Sequence, residues 1–213
     1  MRVLNLRGTS GAGKSRVAYK ILKQFPHTSV DLKLTKKPPS GYLVHLSKKQ
    51  QLFIVGPYNT PCGGCDALPS GMEEVEAMIT RYYPHTPVFL EGLLMSGYYG
   101  NFGRWSERFG NDFIFAFLNT PLEVCLDRIA VRRKQRGDSR PLDPTNTVTR
   151  FHTVWGLYDR MRLPPEAATA RQKIHGMARQ CTVIDYRDAT NQVLSLLTNG
   201  KHGKDNGRHL RPL

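Results

Sequence analysis

Gly8-Thr9-Ser10-Gly11-Ala12-Gly13-Lys14-Ser15 satisfies the spacing G-x-x-x-x-G-K-[ST], and it lies between an apolar run, Val3 to Leu6, and an amphipathic stretch. Glycines at these positions permit a tight loop whose backbone N–H groups converge on phosphate oxygens, and a following helix adds the partial positive charge of its N-terminus. Lys14 can reach the β- and γ-phosphates of a nucleoside triphosphate, and Ser15 is placed to bind Mg²⁺. Thr9, Ser10 and Ala12 complete the cradle. ATP or GTP binding is the chemistry this segment implies. An Asn-Lys-x-Asp segment for reading guanine is absent from the chain, which argues against a switch GTPase, and motor ATPases are larger assemblies. A small kinase is the remaining reading.

Phosphoryl transfer spreads negative charge over the equatorial oxygens of the migrating group, so cations must gather around it. Arg128, Arg132 and Arg136 recur every four residues and are expected along one helical stripe, with Arg132 and Arg136 as lid residues and Arg128 and Arg133 behind them. The following Gly137-Asp138-Ser139-Arg140-Pro141 reads as a mobile flap. Three acidic positions compete to anchor a metal or to take a proton from an acceptor. Glu91 closes the strand-like Val88-Phe89-Leu90, where a carboxylate faces phosphates across the end of a parallel sheet and holds the metal through water. Asp31 ends Ser29-Val30-Asp31, and Asp66 follows Cys62-Gly63-Gly64-Cys65; either could face an acceptor hydroxyl.

The elements that must position these groups alternate β-type runs with amphipathic stretches, the pattern of an α/β domain with a parallel sheet. Val3 to Leu6, Val88 to Leu90, Phe113 to Leu118 and Thr182 to Ile184 read as buried strands. Tyr42 to Leu46 and Leu52 to Val55 flank Ser47-Lys48-Lys49-Gln50 and read as a hairpin projecting from the sheet, an insertion or an antiparallel extension covering about 41–56. Helices are expected from the Ser70-Gly71-Met72-Glu73 capping box, from Pro121, over Thr147 to Met161, around Ala167 to Arg179, and over Asn191 to Leu197. Residues 1–198 form one expected domain with a lid at about 128–147, and the basic, glycine-containing 199–213 is expected to be a disordered tail.

Thirty-one Lys and Arg against seventeen Asp and Glu give a formal charge of +14, which makes a polyanion a leading partner. No run approaches the roughly 20 apolar residues of a membrane span, and MRVLNLRG does not read as a signal peptide, so a cytoplasmic setting is expected. Four cysteines make no disulfide framework. Cys62-x-x-Cys65 lacks the further ligands of a zinc site and the context of a thioredoxin-like pair, and is read as a loop shaping an acceptor pocket.

GTSGAGKS, VFLEG and NTPLEVCLDRIAVRR ahead of a lid resemble the P-loop kinases of the adenylate-kinase and polynucleotide-kinase type, over most of the chain. Together with VGPYNTPCGGCD, they are similar to bacteriophage kinases that phosphorylate 5-hydroxymethyluracil within DNA, a step in thymidine hypermodification. The resemblance implies a three-layer fold with strand order 2-3-1-4-5, a helical lid, ATP and Mg²⁺ as cofactors, and an acceptor pocket built from Asp31 to Asp66. Glu91 stands where many relatives have Asp, which leaves open whether it holds metal or acts on the acceptor. The charge supports a DNA acceptor, with Lys33, Lys36, Lys37, Lys48 and Lys49 suited to a phosphate backbone. A base hydroxyl inside a duplex must be flipped out, and Tyr58, Tyr98, Tyr99, Phe102 and Trp105 are available for stacking. The resulting hypothesis is transfer of the γ-phosphate of ATP to that hydroxymethyl group in host cytoplasm. A nucleotide, nucleoside or polynucleotide-end kinase and a non-catalytic, nucleotide-regulated DNA-binding protein are the alternatives.

Overall fold

The computed structural model describes residues 1–31, 39–59, 63–68, 71–97, 99–138, 140–167 and 175–198. The first strand, β1 (Val3–Arg7), is buried along its whole length and leads through the glycine-rich loop into α1 (Lys14–Gln24). Next come β2 (His27–Val30), β3 (Gly41–His45), β4 (Gln51–Val55), a 3₁₀ turn at Cys65–Ala67, and α2 (Gly71–Tyr82). The middle of the chain holds β5 (Val88–Glu91), the single-turn α3 (Leu93–Ser96), α4 (Gly100–Phe109) and β6 (Phe113–Leu118). Helices α5 (Leu122–Gln135) and α6 (Thr145–Arg162), strand β7 (Cys181–Ile184) and α7 (Ala189–Thr198) complete it.

All seven strands form one sheet in the order β2-β3-β4-β5-β1-β6-β7. The five strands β4-β5-β1-β6-β7 are mutually parallel and, counted along the chain, follow the expected order 2-3-1-4-5. The full sheet differs from that expectation by two antiparallel strands added at one edge. The hairpin of β3 and β4 therefore does not project from the sheet. Its second arm is the second parallel strand, because Leu52, Phe53, Ile54 and Val55 are all fully buried and need cover on both faces. Its Lys48-Lys49 turn falls at the N-terminal end of β4, the edge opposite the phosphate-binding loop and a strand length of about 16 Å away.

Side chains alternating along β1 feed two cores. Leu4 and Leu6 pack with α1 and α7, whereas Val3 joins α2, α4 and α6, so the sheet is the middle of three layers. Helix α4 was not expected from the sequence, yet Phe102, Trp105 and Phe109 recur at helical spacing and cover Phe113. Trp105 is consequently core, with no face free for stacking on a ligand. Short 3₁₀ turns lie at Pro165–Ala167 and Ala178–Gln180, and residues 168–174, most of the helix expected around Ala167 to Arg179, lie outside the described residues. Lys33, Lys36, Lys37, Cys62, Ser70, Tyr98, Ser139 and the 199–213 tail lie outside the described residues. Among those described, no helix is long and apolar enough to cross a membrane.

Candidate active site

The glycine-rich loop turns at the C-terminal edge of β1, between β5 and β6. Gly13 takes φ 105°, a left-handed conformation that lets Lys14 begin α1 directly. Gly11, at φ +77°, packs so closely on α5 that a Cβ would lie 2.3 Å from the Cys125 carbonyl oxygen. Side chains hold the loop from outside: Thr120 Oγ1 donates to the Ala12 carbonyl at 2.8 Å, and an Arg128 guanidinium nitrogen donates to the Gly11 and Ala12 carbonyls at 3.2 Å each. Thr9 Oγ1 donates to the Thr147 carbonyl at 3.2 Å, tying the loop to the start of α6.

A cavity of about 560 Å³ opens over this loop. Lys14, Ser15, Asp66, Glu91, Arg128 and Arg132 line it together, although they come from four separate stretches of chain. Lys14 Nζ donates to the carbonyls of Gly8 and Thr9 at 2.7 and 3.1 Å. Burial lowers its pKa, opposed by the carboxylates of Glu91 and Asp66. Glu91 is 1% exposed at the end of β5. Its Oε1 accepts the Ser15 hydroxyl at 3.0 Å and the Tyr58 hydroxyl at 3.0 Å. Burial pushes the Glu91 carboxyl up in pKa, while Lys14 and these two hydrogen bonds pull it back.

Asp66 sits in the 3₁₀ turn at Cys65–Ala67, where it accepts the backbone N–H of Leu93 and, at 3.2 Å, of Leu94. The turn is held in place rather than loosely presented, since Gly64 N donates to the Pro57 carbonyl at 3.0 Å. Asp31 is exposed at the end of β2, on the same edge of the sheet as Glu91 but three strands and about 14 Å away, and it does not line the cavity. Arg136 also lies off the cavity. Helix α5 stops at Gln135, so Arg128 and Arg132 share the cavity-facing stripe and Arg136 occupies the exposed C-cap.

The chain is similar to curated proteins of three bacteriophages. It is 34% identical over 151 residues to the 5-hmdU DNA kinase of Pseudomonas phage PaMx11, which covers 70% of this chain and 79% of that protein. It is 27% identical over 172 residues to the 5-hmdU DNA kinase of Pseudomonas phage M6, covering 75% and 85%. The 5-hmdU DNA kinase of Delftia phage PhiW-14 is 25% identical over 176 residues, covering 74% of this chain and 63% of that one. This chain belongs to the 5-hmdU DNA kinase family. No family model matches it. Among solved structures, a gluconokinase from Sinorhizobium meliloti 1021 aligns over 93% of this chain and 92% of that one, with 12% identity and a TM-score of 0.44.

In this kinase the cation set continues beyond the first cavity. A second cavity, of about 240 Å³, shares Gly13, Arg16 and Arg128 with it and runs to Tyr186 and Arg187 after β7. The Arg128 guanidinium lies 5.4 Å from the Tyr186 ring centroid. The flap expected after Arg136 is a turn anchored by Asp138, whose carboxylate takes Arg133 at 2.9 Å and Arg140 at 2.9 Å. These two guanidiniums hold the Asp138 carboxyl well below its usual range, the Arg140 hydrogen bond most of all.

Tyr58, expected to be available for stacking, is instead 5% exposed and bonded to Glu91. Two further groups at the site are not picked out by the sequence. Ser96 Oγ accepts Gly8 N at 3.2 Å and donates to the Gly92 carbonyl at 2.7 Å, which joins the loop to α3. Arg7 is fully buried, donating to Asn5 Oδ1 at 2.6 Å and to the Ser96 carbonyl at 3.3 Å, with its guanidinium 4.8 Å from the Phe115 ring centroid. A lone arginine at the end of an apolar strand was the available signal.

Proposed function

We propose that this chain transfers the γ-phosphoryl group of ATP to the hydroxymethyl oxygen of 5-hydroxymethyluracil in DNA. The observation that carries the reading is one cavity in which a phosphate-binding loop, three arginines and two carboxylates meet, in a chain whose relatives are named 5-hmdU DNA kinase. The backbone of Gly8 to Ser15 cradles the phosphates, and Lys14, Arg128 and Arg132 stabilise charge on the migrating group. Arg136, beyond them, belongs to the same lid, about 128–147, of a single domain over residues 1–198. The second cavity, beside Arg128 and Tyr186, suits the nucleoside end of ATP.

Ser15 and Glu91 offer adjacent hard oxygen donors, which fits Mg²⁺, an ion bound by one or two protein oxygens together with substrate phosphates. When bound, Mg²⁺ supplies positive charge to the phosphates. Asp66 is the better-placed acceptor base. Its carboxylate is exposed to the cavity and takes one backbone N–H on each oxygen, which leaves lone pairs for a hydroxyl. The hydroxymethyl oxygen forms a bond to the γ-phosphorus as the bridging bond to ADP breaks, and its proton passes to Asp66. Asp31, on the same sheet edge, then serves the approach of the acceptor rather than the transfer. The charge of +14 supports a DNA substrate, and the phage relatives support action in host cytoplasm.

The test is γ-labelled ATP and Mg²⁺ with two end-blocked duplexes, one containing thymine and one 5-hydroxymethyluracil, digested to nucleosides for mass spectrometry. Label on the modified base alone is expected. Label only on free nucleosides or unblocked ends would instead identify a nucleoside or end kinase. Salt-sensitive DNA binding with no phosphorylated product would identify a nucleotide-regulated DNA-binding protein.

A further inference from the structure

Beside the phosphate-binding cavity, and separated from it by Asp66, lies a second kind of space. It measures about 370 Å³ and is walled by Leu68, Met72, Leu94, Met95 and Phe102, with Asp66 at its edge. Among the described residues Asp66 is the one that lines both this pocket and the phosphate-binding cavity. The short helix α3 supplies Leu94 and Met95 to the wall, and through the N–H groups of Leu93 and Leu94 it also orients the Asp66 carboxylate. The apolar surface and the carboxylate are therefore set by the same turn of chain.

We infer that this pocket receives the pyrimidine base of the acceptor nucleotide, turned out of the DNA, with its hydroxymethyl group directed at Asp66. The inference rests on the kinase reading above and adds to it where the base sits and which residues hold it. Three observations select a base as the occupant. The volume falls within the ~300–1,000 Å³ range of small-molecule sites. Two thioethers and two leucines offer polarisable, apolar surface to a ring face. Among the described residues no lysine or arginine lines the pocket, so a phosphate has no counter-charge from them and the sugar-phosphate backbone stays outside. A base entering without its backbone phosphates is an extrahelical base.

Leu94 carries the argument furthest. At 66% exposure it is the most exposed of the large hydrophobic side chains among the described residues, and it stands at the pocket rather than on an unrelated surface. An apolar side chain held open to water beside a carboxylate is explained by an occupant that covers it. Among the described residues the surface offered to the base is then aliphatic and thioether, and the buried Tyr58 and Trp105 are not part of it.

The experiment compares the wild-type chain with Leu94→Ser and Leu94→Met. Steady-state kinetics are measured separately for ATP and for an end-blocked 5-hydroxymethyluracil duplex. Leu94→Ser is expected to raise KM for the modified duplex about tenfold, in line with a lost apolar contact to the base, and to leave KM for ATP within about twofold. Leu94→Met is expected to restore the duplex KM to near wild type. Binding of a thymine duplex, followed by fluorescence anisotropy, is expected to be the same for all three, because backbone contacts lie elsewhere. An unchanged duplex KM in Leu94→Ser, or an equal rise in KM for ATP, overturns the base pocket while leaving the kinase reading intact. Failure of the wild-type chain itself to label the modified duplex overturns the kinase reading, and the pocket with it.

Discussion

Ser15, the second residue of α1, donates its hydroxyl to Oε1 of Glu91, the last residue of β5, at 3.0 Å across 76 positions of sequence. The pair joins the phosphate-binding loop to the neighbouring strand, at the place proposed for the metal ion. Glu91→Gln preserves an oxygen that can accept from Ser15 and Tyr58 while removing the charge. We expect native stability and a fall in kcat on the order of 10²-fold, accompanied by a higher Mg²⁺ requirement. Titration of activity against Mg²⁺ in wild type and variant checks it, and an unchanged Mg²⁺ midpoint removes Glu91 from the metal site.

Gly64 approaches the same carboxylate from the other side. It holds φ +91°, and a Cβ there would lie 2.3 Å from Glu91 Oε1. Gly64→Ala therefore strains the backbone and displaces the carboxylate or the turn carrying Asp66. The expected result is loss of transfer by at least about tenfold with a fall in melting temperature, since burial around Glu91 leaves little room to yield. Activity and thermal unfolding measured together decide it; a fully active Gly64→Ala would mean that the turn moves freely relative to β5.

Much of this architecture is legible in the residues themselves. GTSGAGKS, the apolar runs of β1, β5, β6 and β7, and the arginine spacing of α5 are local patterns, and the structure puts them in one three-layer fold. What escapes reading is long-range. Leu52 to Val55 looks the same in a projecting hairpin as in a buried parallel strand, and only pairing with β5 distinguishes the two. His27–Val30 has just one half-buried residue and pairs on one side only, so it carries almost no strand signal. Arg136 has the correct helical spacing, but α5 ends one residue before it. Asp66 reads as a loop carboxylate until α3, itself unexpected, is seen to bind it.

The thiols of Cys65, Cys125 and Cys181 are all buried. Burial pushes Cys125 up to about 11, Cys181 up to about 12, and Cys65 well above its ordinary value. Raised thiol pKa values mean less thiolate, so these groups should be slow nucleophiles in the native fold and ordinary ones once it opens. In a Cys62→Ser background, iodoacetamide at pH 8 is expected to leave all three unmodified until denaturant is added, with mass spectrometry as the readout. Rapid native labelling of Cys65 alone would show that the turn bearing Asp66 opens on its own.

Arg128 and Arg132 line the same cavity, one helical turn apart, yet they are tied differently. Arg128 donates to the carbonyls of Gly11 and Ala12 and lies over Tyr186, so it supports the loop even when no nucleotide is there. Arg132 has no such bond to the loop among the described contacts, and its charge is available to a phosphate. Arg128→Ala is expected to weaken ATP affinity about tenfold or more and to destabilise the fold by about 1–3 kcal/mol, the effect of losing hydrogen bonds from a charged donor. Arg132→Ala is expected to spare stability and ATP affinity and to lower kcat by about 10²-fold, the signature of a group that acts chiefly in the transition state. Calorimetric ATP binding, thermal unfolding and single-turnover transfer separate the two. If Arg132→Ala lowered ATP affinity and left kcat unchanged, Arg132 would belong with nucleotide binding, and the transition-state charge would rest on Lys14 with Arg16 or Arg128 among the described cavity residues.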